Sequence, residues 1–142
     1  MLNVQNYREG ILVEINKKKV EIILRIGIFG TFLGHGAMAI GVKTSWIPFL
    51  TFWGFSFQTA SKLLPVIGSI DILIAILSLL KPIRIVILYA FVWTFLTALM
   101  RPLTGYPIWD FIERTANWAI PLALLFLKGL PNTFSGWLKE ND

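Results

Sequence analysis

Six polar side chains that can bind ligands or carry protons stand within or beside long apolar stretches of the chain. They are His35, Asp71, Arg101, Glu113, Arg114 and Asn117. Ionisable groups at membrane depth are costly, so they pair with one another, line a cavity or form a proton path. The two arginines can hold the oxygens of a polar head group, and His35 and Asp71 can exchange protons. These six residues are therefore the candidate ligand or proton site.

Four predicted membrane-spanning helices set the depth of these residues, at about residues 22–42, 63–80, 83–100 and 110–128. At ~1.5 Å per residue, His35 lies ~20 Å from the start of the first span. Asp71 lies ~12 Å from the start of the second span, which runs the opposite way. Arg101 ends the third span, and Glu113–Asn117 begin the fourth. We therefore expect all of them in the outer third of the bundle.

Two interpretations of this cluster remain open. In the structural interpretation, Arg101 and Arg114 pair with Asp71 and Glu113, His35 joins the network, and the cluster specifies the helix packing. In the functional interpretation, the same groups line an outward-opening pocket for an apolar molecule with polar head atoms, or they relay protons.

A stripe of small residues in the first span predicts a close contact between helices. It consists of Gly30, Gly34, Ala37 and Gly41, which repeat at helical spacing. Small residues allow the backbones of two transmembrane helices to approach closely. We expect another helix of the bundle to pack here.

Composition favours a protein whose solvent is lipid. Of the 142 residues, 56% are hydrophobic, and the mean hydropathy is +0.69. A soluble domain of this size lacks the interior volume to bury so much apolar surface. The absence of cysteine excludes disulfides, thiol redox chemistry and thiolate metal sites. No spacing typical of metal ligands or of a phosphate-binding loop occurs, so no metal site is predicted.

The basic residues indicate topology and not nucleic-acid binding. With four crossings, nine of the 13 lysines and arginines fall on one side: Arg8, Lys17, Lys18, Lys19, Arg25, Lys81, Arg84, Lys128 and Lys139. This bias is typical of the cytoplasmic side. We therefore expect an inner (plasma) membrane protein with both termini in the cytoplasm, whose partner is the lipid bilayer.

The connections complete a single membrane domain over residues 1–142. Residues 1–21 form a cytoplasmic lead, and residues 129–142 form a cytoplasmic tail. The aromatic segment Thr44–Lys62 predicts an amphipathic or re-entrant segment on the outer surface, which is either an interfacial anchor or a lid over a site. Lys81-Pro82 predicts a tight antiparallel hairpin, and Asp110 with Glu113 resembles a capping box at the start of the fourth span.

Short motifs resemble those of the DoxX-like family of small four-helix integral membrane proteins. They are Arg25, Gly27, Phe29 and the His35-Gly36 pair, together with the hairpin at Lys81-Pro82. That family includes subunits associated with quinone-linked sulfur oxidation. The resemblance covers roughly residues 22–128 and implies an accessory redox role.

The sequence thus predicts an all-α, integral membrane four-helix bundle with an amphipathic or re-entrant segment between the first two spans. The leading functional hypothesis is an accessory subunit of membrane redox or respiratory chemistry, more an accessory than a catalytic protein, with a quinone-like lipophilic ligand. A small transporter or permeability factor is the second hypothesis. The third is a structural partner subunit of a membrane complex that has no ligand of its own.

Overall fold

The computed structural model describes residues 4–140, and every regular element in that range is a helix. The helices are α1 (Val4–Ile40), α2 (Ile47–Thr51), α3 (Phe57–Leu80), α4 (Arg84–Leu103), α5 (Ile108–Ile112), α6 (Thr115–Lys128) and α7 (Phe134–Trp137), with a 3-10 turn at Thr44–Trp46. The all-α prediction is therefore confirmed. The ends of the predicted lead and tail, residues 1–3 and 141–142, lie outside the described residues.

Within residues 4–140, three helices are long and apolar enough to cross a membrane, namely α1, α3 and α4. The predicted hairpin is present, because only residues 81–83 separate α3 from α4. Helix α3 begins six residues before the predicted start of the second span, since Ser56 caps it by accepting a hydrogen bond from the Thr59 backbone N–H at 3.1 Å. Pro65 consequently lies inside the helix.

The predicted fourth span is not one continuous helix. A turn at Glu113 and Arg114 separates α5 from α6, which has 14 residues. The capping box expected here is wrong: α5 already begins after Pro107, and no side chain caps its N-terminus. The site residues at the start of the fourth span therefore lie on a break between two helices.

Four helices nevertheless share one hydrophobic core. Each of α1, α3, α4 and α6 contributes two fully or almost fully buried side chains to it: Ile28, Phe32, Ile74, Ala75, Ile87, Ala90, Leu124 and Leu125. Helix α1 packs along α3 and α6, and α4 packs along α6, whereas α3 and α4 touch little beyond their hairpin connection. The bundle is thus closed on three sides and looser between α3 and α4.

The closest helix contact does not involve the predicted stripe of small residues. A Cβ atom added at Gly30 or Gly34 would meet nothing within 4 Å, so the expected close packing is wrong there within this chain. Ala37 and Gly41 are also exposed. The backbones of α1 and α3 instead meet at Gly36 and Gly68, where a Cβ on Gly68 would lie 2.6 Å from the Gly36 carbonyl oxygen.

Charged side chains bond to helix carbonyls at the end of the bundle that contains the hairpin between α3 and α4. Arg25 donates from Nε and Nη2 to the Leu79 carbonyl, the Nε bond being 3.0 Å. Arg84, which is 4% exposed, donates to the carbonyls of Lys128 (2.9 Å), Gly129 (3.0 Å) and Gly136 (3.3 Å). These bonds satisfy the carbonyls that a helix C-terminus leaves free and hold the tail against the start of α4.

Candidate functional site

A cavity of about 440 Å³ lies between α3 and α4, at the end of the bundle away from Arg84. Five of the six predicted site residues line it: His35, Asp71, Arg101, Arg114 and Asn117. They come from α1, α3, α4 and the start of α6, so the cavity forms only when these helices assemble. Aromatic and aliphatic side chains make up most of the remaining wall, including Trp53, Leu64 and Ile67.

Asp71 provides a buried carboxyl group in the wall of the cavity. Its side chain is on α3, it is only 3% exposed, and its Oδ1 atom has no hydrogen-bond partner. Trp93, which faces it from α4, is the side chain that interacts with this carboxyl group. Within residues 6–140 Asp71 forms no ion pair, so the pairing with Arg101 or Arg114 expected in the structural interpretation is not formed.

Arg101 contributes a cation that forms no salt bridge with a described side chain, although the carboxylates of Asp110 and Glu113 attract it at longer range. The guanidinium group stacks over the Phe49 ring, with 5.4 Å between its central carbon and the ring centroid. Its Nε atom is buried and makes no hydrogen bond. A cation held in this way keeps its N–H donors available to a ligand, because the aromatic face offers attraction without accepting them in regular hydrogen bonds.

Arg114 lies across from Arg101, on the break between α5 and α6. One of its N–H groups donates to the Asp110 carbonyl at 2.7 Å. Its only acid partner among the described residues is Glu113, at 3.5 Å, and the Glu113 side chain is 73% exposed. Glu113 does not line the cavity, so the structure separates this one predicted site residue from the other five.

His35 lies where α1 faces the segment after it. Its ring packs edge to face against Trp46, with ring centroids 5.6 Å apart and planes at 89°. Phe49, Leu50 and Trp53 follow on the same segment and also line the cavity. The aromatic residues of this segment therefore form one wall of the site.

Sequence reasoning missed Phe49 and Trp93 as site residues, although both contact its charged groups. A signal for Trp93 exists in the sequence, because Trp93, Thr97 and Arg101 repeat every four residues and therefore share one face of a helix. Phe49 has no comparable signal, since the contact depends on how the segment folds back over α4.

Apolar helices of membrane-spanning length, together with a cavity that has apolar walls and a cluster of charged groups, are features of an integral membrane protein. The arrangement supplies hydrogen-bond donors from two arginines and an amide, and one buried acceptor from Asp71. Such a set can bind a polar head group inside an apolar pocket. The chain matches no protein-family model, no curated protein and no solved structure.

Proposed function

We propose that this chain is a DoxX-like integral membrane protein that holds a lipophilic ligand with a polar head in the cavity between α3 and α4. In this role it serves as an accessory subunit of membrane redox or respiratory chemistry, and a quinone-like molecule is the ligand class that the resemblance suggests. One observation carries the proposal: five polar side chains from four helices converge on a single, mostly apolar cavity. A cluster that served packing alone would pair its charges, and Asp71 and Arg101 are not paired with each other.

We further propose four membrane crossings, with α5 and α6 together forming the fourth. Helix α6 runs antiparallel to α4: Arg84 at the start of α4 bonds to Lys128 at the end of α6, and Arg101 and Arg114 meet at the other end. At ~1.5 Å per residue, the 14 residues of α6 cover ~20 Å and the five residues of α5 add at most ~8 Å across the break, which comes close to the ~30 Å of the hydrocarbon core. The excess of basic residues at the Arg84 end favours a cytoplasmic location for both termini in the inner membrane.

The segment Thr44–Thr51 is proposed to lie at the outer membrane surface as a lid over the cavity. Two contacts support this role, between Trp46 and His35 and between Phe49 and Arg101. An interfacial anchor without a role in the site would need no contact with charged cavity residues. Arg25 and Arg84 bond to helix carbonyls at the end of the bundle away from the cavity. Because these bonds close that end, we favour the holding of a ligand over transport.

The test compares lipophilic compounds that co-purify with three forms of the protein. Thr97→Phe adds a ring to a residue that lines the cavity, and Val92→Phe adds the same ring to the outer face of the same helix, where Val92 is 43% exposed. Each form is purified in lipid nanodiscs, extracted with organic solvent and analysed by mass spectrometry. We expect one lipophilic compound at near-stoichiometric amount with the wild type and Val92→Phe, and its loss with Thr97→Phe.

The absence of any near-stoichiometric compound from all three folded proteins would contradict the proposed function and would favour a structural partner subunit without a ligand. Thermal unfolding in detergent checks that Thr97→Phe is still folded. A compound that is retained by all three forms would show binding outside the cavity, which also contradicts the proposal.

A further inference from the structure

The charge balance of the cavity identifies the chemical class of its ligand more narrowly. Two cations line it, Arg101 and Arg114, and the guanidinium groups repel each other. Asp71 also lines it but interacts with Trp93 and forms no ion pair with either arginine among the described residues. The cavity wall therefore contains no carboxylate that pairs with these cations, and the carboxylates that attract Arg101, those of Asp110 and Glu113, lie outside the wall.

Not all of the N–H groups of these two arginines make hydrogen bonds. Arg101 has a buried Nε atom without a partner, and its side chain makes no hydrogen bond to the described part of the chain. Arg114 donates to one backbone carbonyl, and its contact with Glu113 is 3.5 Å long and lies at an exposed side chain. An exposed pair of this kind contributes little. Asn117 adds a side-chain amide to the same wall.

A neutral acceptor such as a quinone carbonyl would accept hydrogen bonds from the arginine N–H groups but would not remove the repulsion between the two guanidinium groups. An anion does both, because it accepts the N–H groups and removes the repulsion. In a low-dielectric wall made by Phe49, Trp53 and Leu99, this difference is larger than it would be in water.

The rest of the cavity requires that this anion carry an apolar chain. Most of the other lining residues are aliphatic or aromatic, among them Trp46, Leu64 and Ile67. A small water-soluble anion would leave about 440 Å³ of apolar space largely empty, whereas an acyl chain would fill it.

We infer that the ligand is an anionic amphiphile, a carboxylate or phosphate head on an acyl chain, with its head between Arg101 and Arg114 and its chain along the apolar wall. This inference rests on the proposed function, since it specifies the head group of the cavity ligand. The neutral quinone is thereby the competing ligand class.

Tryptophan fluorescence tests the inference, because Trp46, Trp53 and Trp93 line the cavity and both bromine and a quinone ring quench tryptophan at short range. The delipidated full-length protein in detergent is titrated with dibromostearic acid at alkaline pH, with its uncharged methyl ester, and with the neutral quinone decylubiquinone. Sodium acetate is added as a competitor, to distinguish a lipid anion from a soluble one. The Thr97→Phe variant is the control: because the added ring occupies the cavity, any quenching that remains comes from binding elsewhere.

We expect the acid to bind at least about tenfold more tightly than its ester, which is the scale of one lost charge-assisted hydrogen bond. Arg101→Gln should reduce this preference by a similar factor, and Arg101→Lys should retain most of it. Lys62→Gln makes the same charge change at an exposed position on α3 that does not line the cavity and should have no effect. Acetate should not displace the acid.

Three results would overturn the inference. If acid and ester bind equally, or if decylubiquinone binds as tightly as the acid and is unaffected by Arg101→Gln, the head is not anionic, while the cavity still binds a ligand and the proposed function stands. Displacement by acetate would make the ligand a soluble anion and not an amphiphile. If all probes quench the wild type and Thr97→Phe alike, the inference and the proposed function both fail.

Discussion

The contact between Gly36 and Gly68 offers the sharpest test of the packing of α1 against α3. A Cβ at Gly68 would lie 2.6 Å from the Gly36 carbonyl oxygen and 2.8 Å from the Ile40 backbone nitrogen. Ordinary van der Waals contact begins at 3.4 Å, so the first distance is short by ~0.8 Å. Both neighbouring atoms belong to the backbone, and no side-chain rotation can relieve the overlap. The helices must therefore separate.

The expected cost of Gly68→Ala follows from this displacement. A gap of 0.5–1 Å removes roughly a quarter to a half of each dispersion contact along the interface. Overpacking of this kind costs ~1–3 kcal/mol, and a rigid backbone neighbour places Gly68 near the upper end. The higher helix propensity of alanine offsets this loss of unfolding free energy by up to ~1 kcal/mol. We expect a net loss of about 2 kcal/mol in the free energy of unfolding, measured by denaturant titration in mixed micelles.

Gly34→Ala is the matched control, since it makes the same change on α1 at a position where a Cβ meets nothing within 4 Å. It should be neutral or stabilising by up to ~1 kcal/mol, because only the propensity term applies. If Gly68→Ala is as stable as Gly34→Ala, the two helices do not meet through their backbones at Gly36 and Gly68, and the placement of α3 on α1 is refuted.

Three further predictions concern the rest of the molecule. Reporters fused after residues 81 and 142 should lie in the cytoplasm and one at Gly105 outside the cell, whereas an external reporter at 142 would show that α5 and α6 do not cross the membrane. Arg84→Gln should destabilise the protein by ~2–3 kcal/mol and accelerate tryptic cleavage within residues 129–140, because it removes charged donors from three carbonyls; Lys81→Gln, which is exposed, is the control, and equal cleavage of both would contradict the clamp. Glu113→Gln should leave unfolding and ligand retention unchanged, since its side chain is 73% exposed, and a loss of ligand would place Glu113 in the site.

Sequence reasoning located the polar residues of the cavity by simple geometry. The rise per residue is constant, and the hairpin at Lys81-Pro82 makes successive spans antiparallel, so His35 and Asp71 could be placed at similar depth before any contact was known. Five of the six residues now line one cavity. Glu113 differs because the helix breaks beside it and turns its side chain outward.

The face of α1 that packs inward could not be read from the positions of its glycines. Small residues occur on two faces, and the rule that small residues mark the interface selects Gly30 and Gly34. The buried face instead combines Ile28 and Phe32 with Gly36, since two large side chains fill the core and one glycine allows the close approach. The face of α1 that packs inward depends on the shape of α3, and the sequence of α1 does not contain that information.

Pairing between charged groups was equally beyond sequence reasoning, because it depends on rotamers and on neighbours from distant segments. Arg101 illustrates this point. Depth alone allowed an ion pair with Asp71, whereas the segment Thr44–Thr51 brings Phe49 within 5.4 Å of the guanidinium group and the pair does not form. This segment contains no charge pattern that predicts the contact.

The absence of an ion pair between Asp71 and Arg101 can be measured by a double-mutant cycle. The structure gives Asp71 and Arg101 different neighbours, Trp93 for the first and Phe49 for the second. The effects of Asp71→Asn and Arg101→Gln on the unfolding free energy of the ligand-free protein should therefore add within ~0.3–0.5 kcal/mol. Neither single change should cost the ~3–5 kcal/mol that follows when one partner of a buried ion pair is removed. A coupling energy above ~1 kcal/mol would show that the two groups pair directly, and the cavity would then lose the unneutralised cation on which an anionic ligand depends.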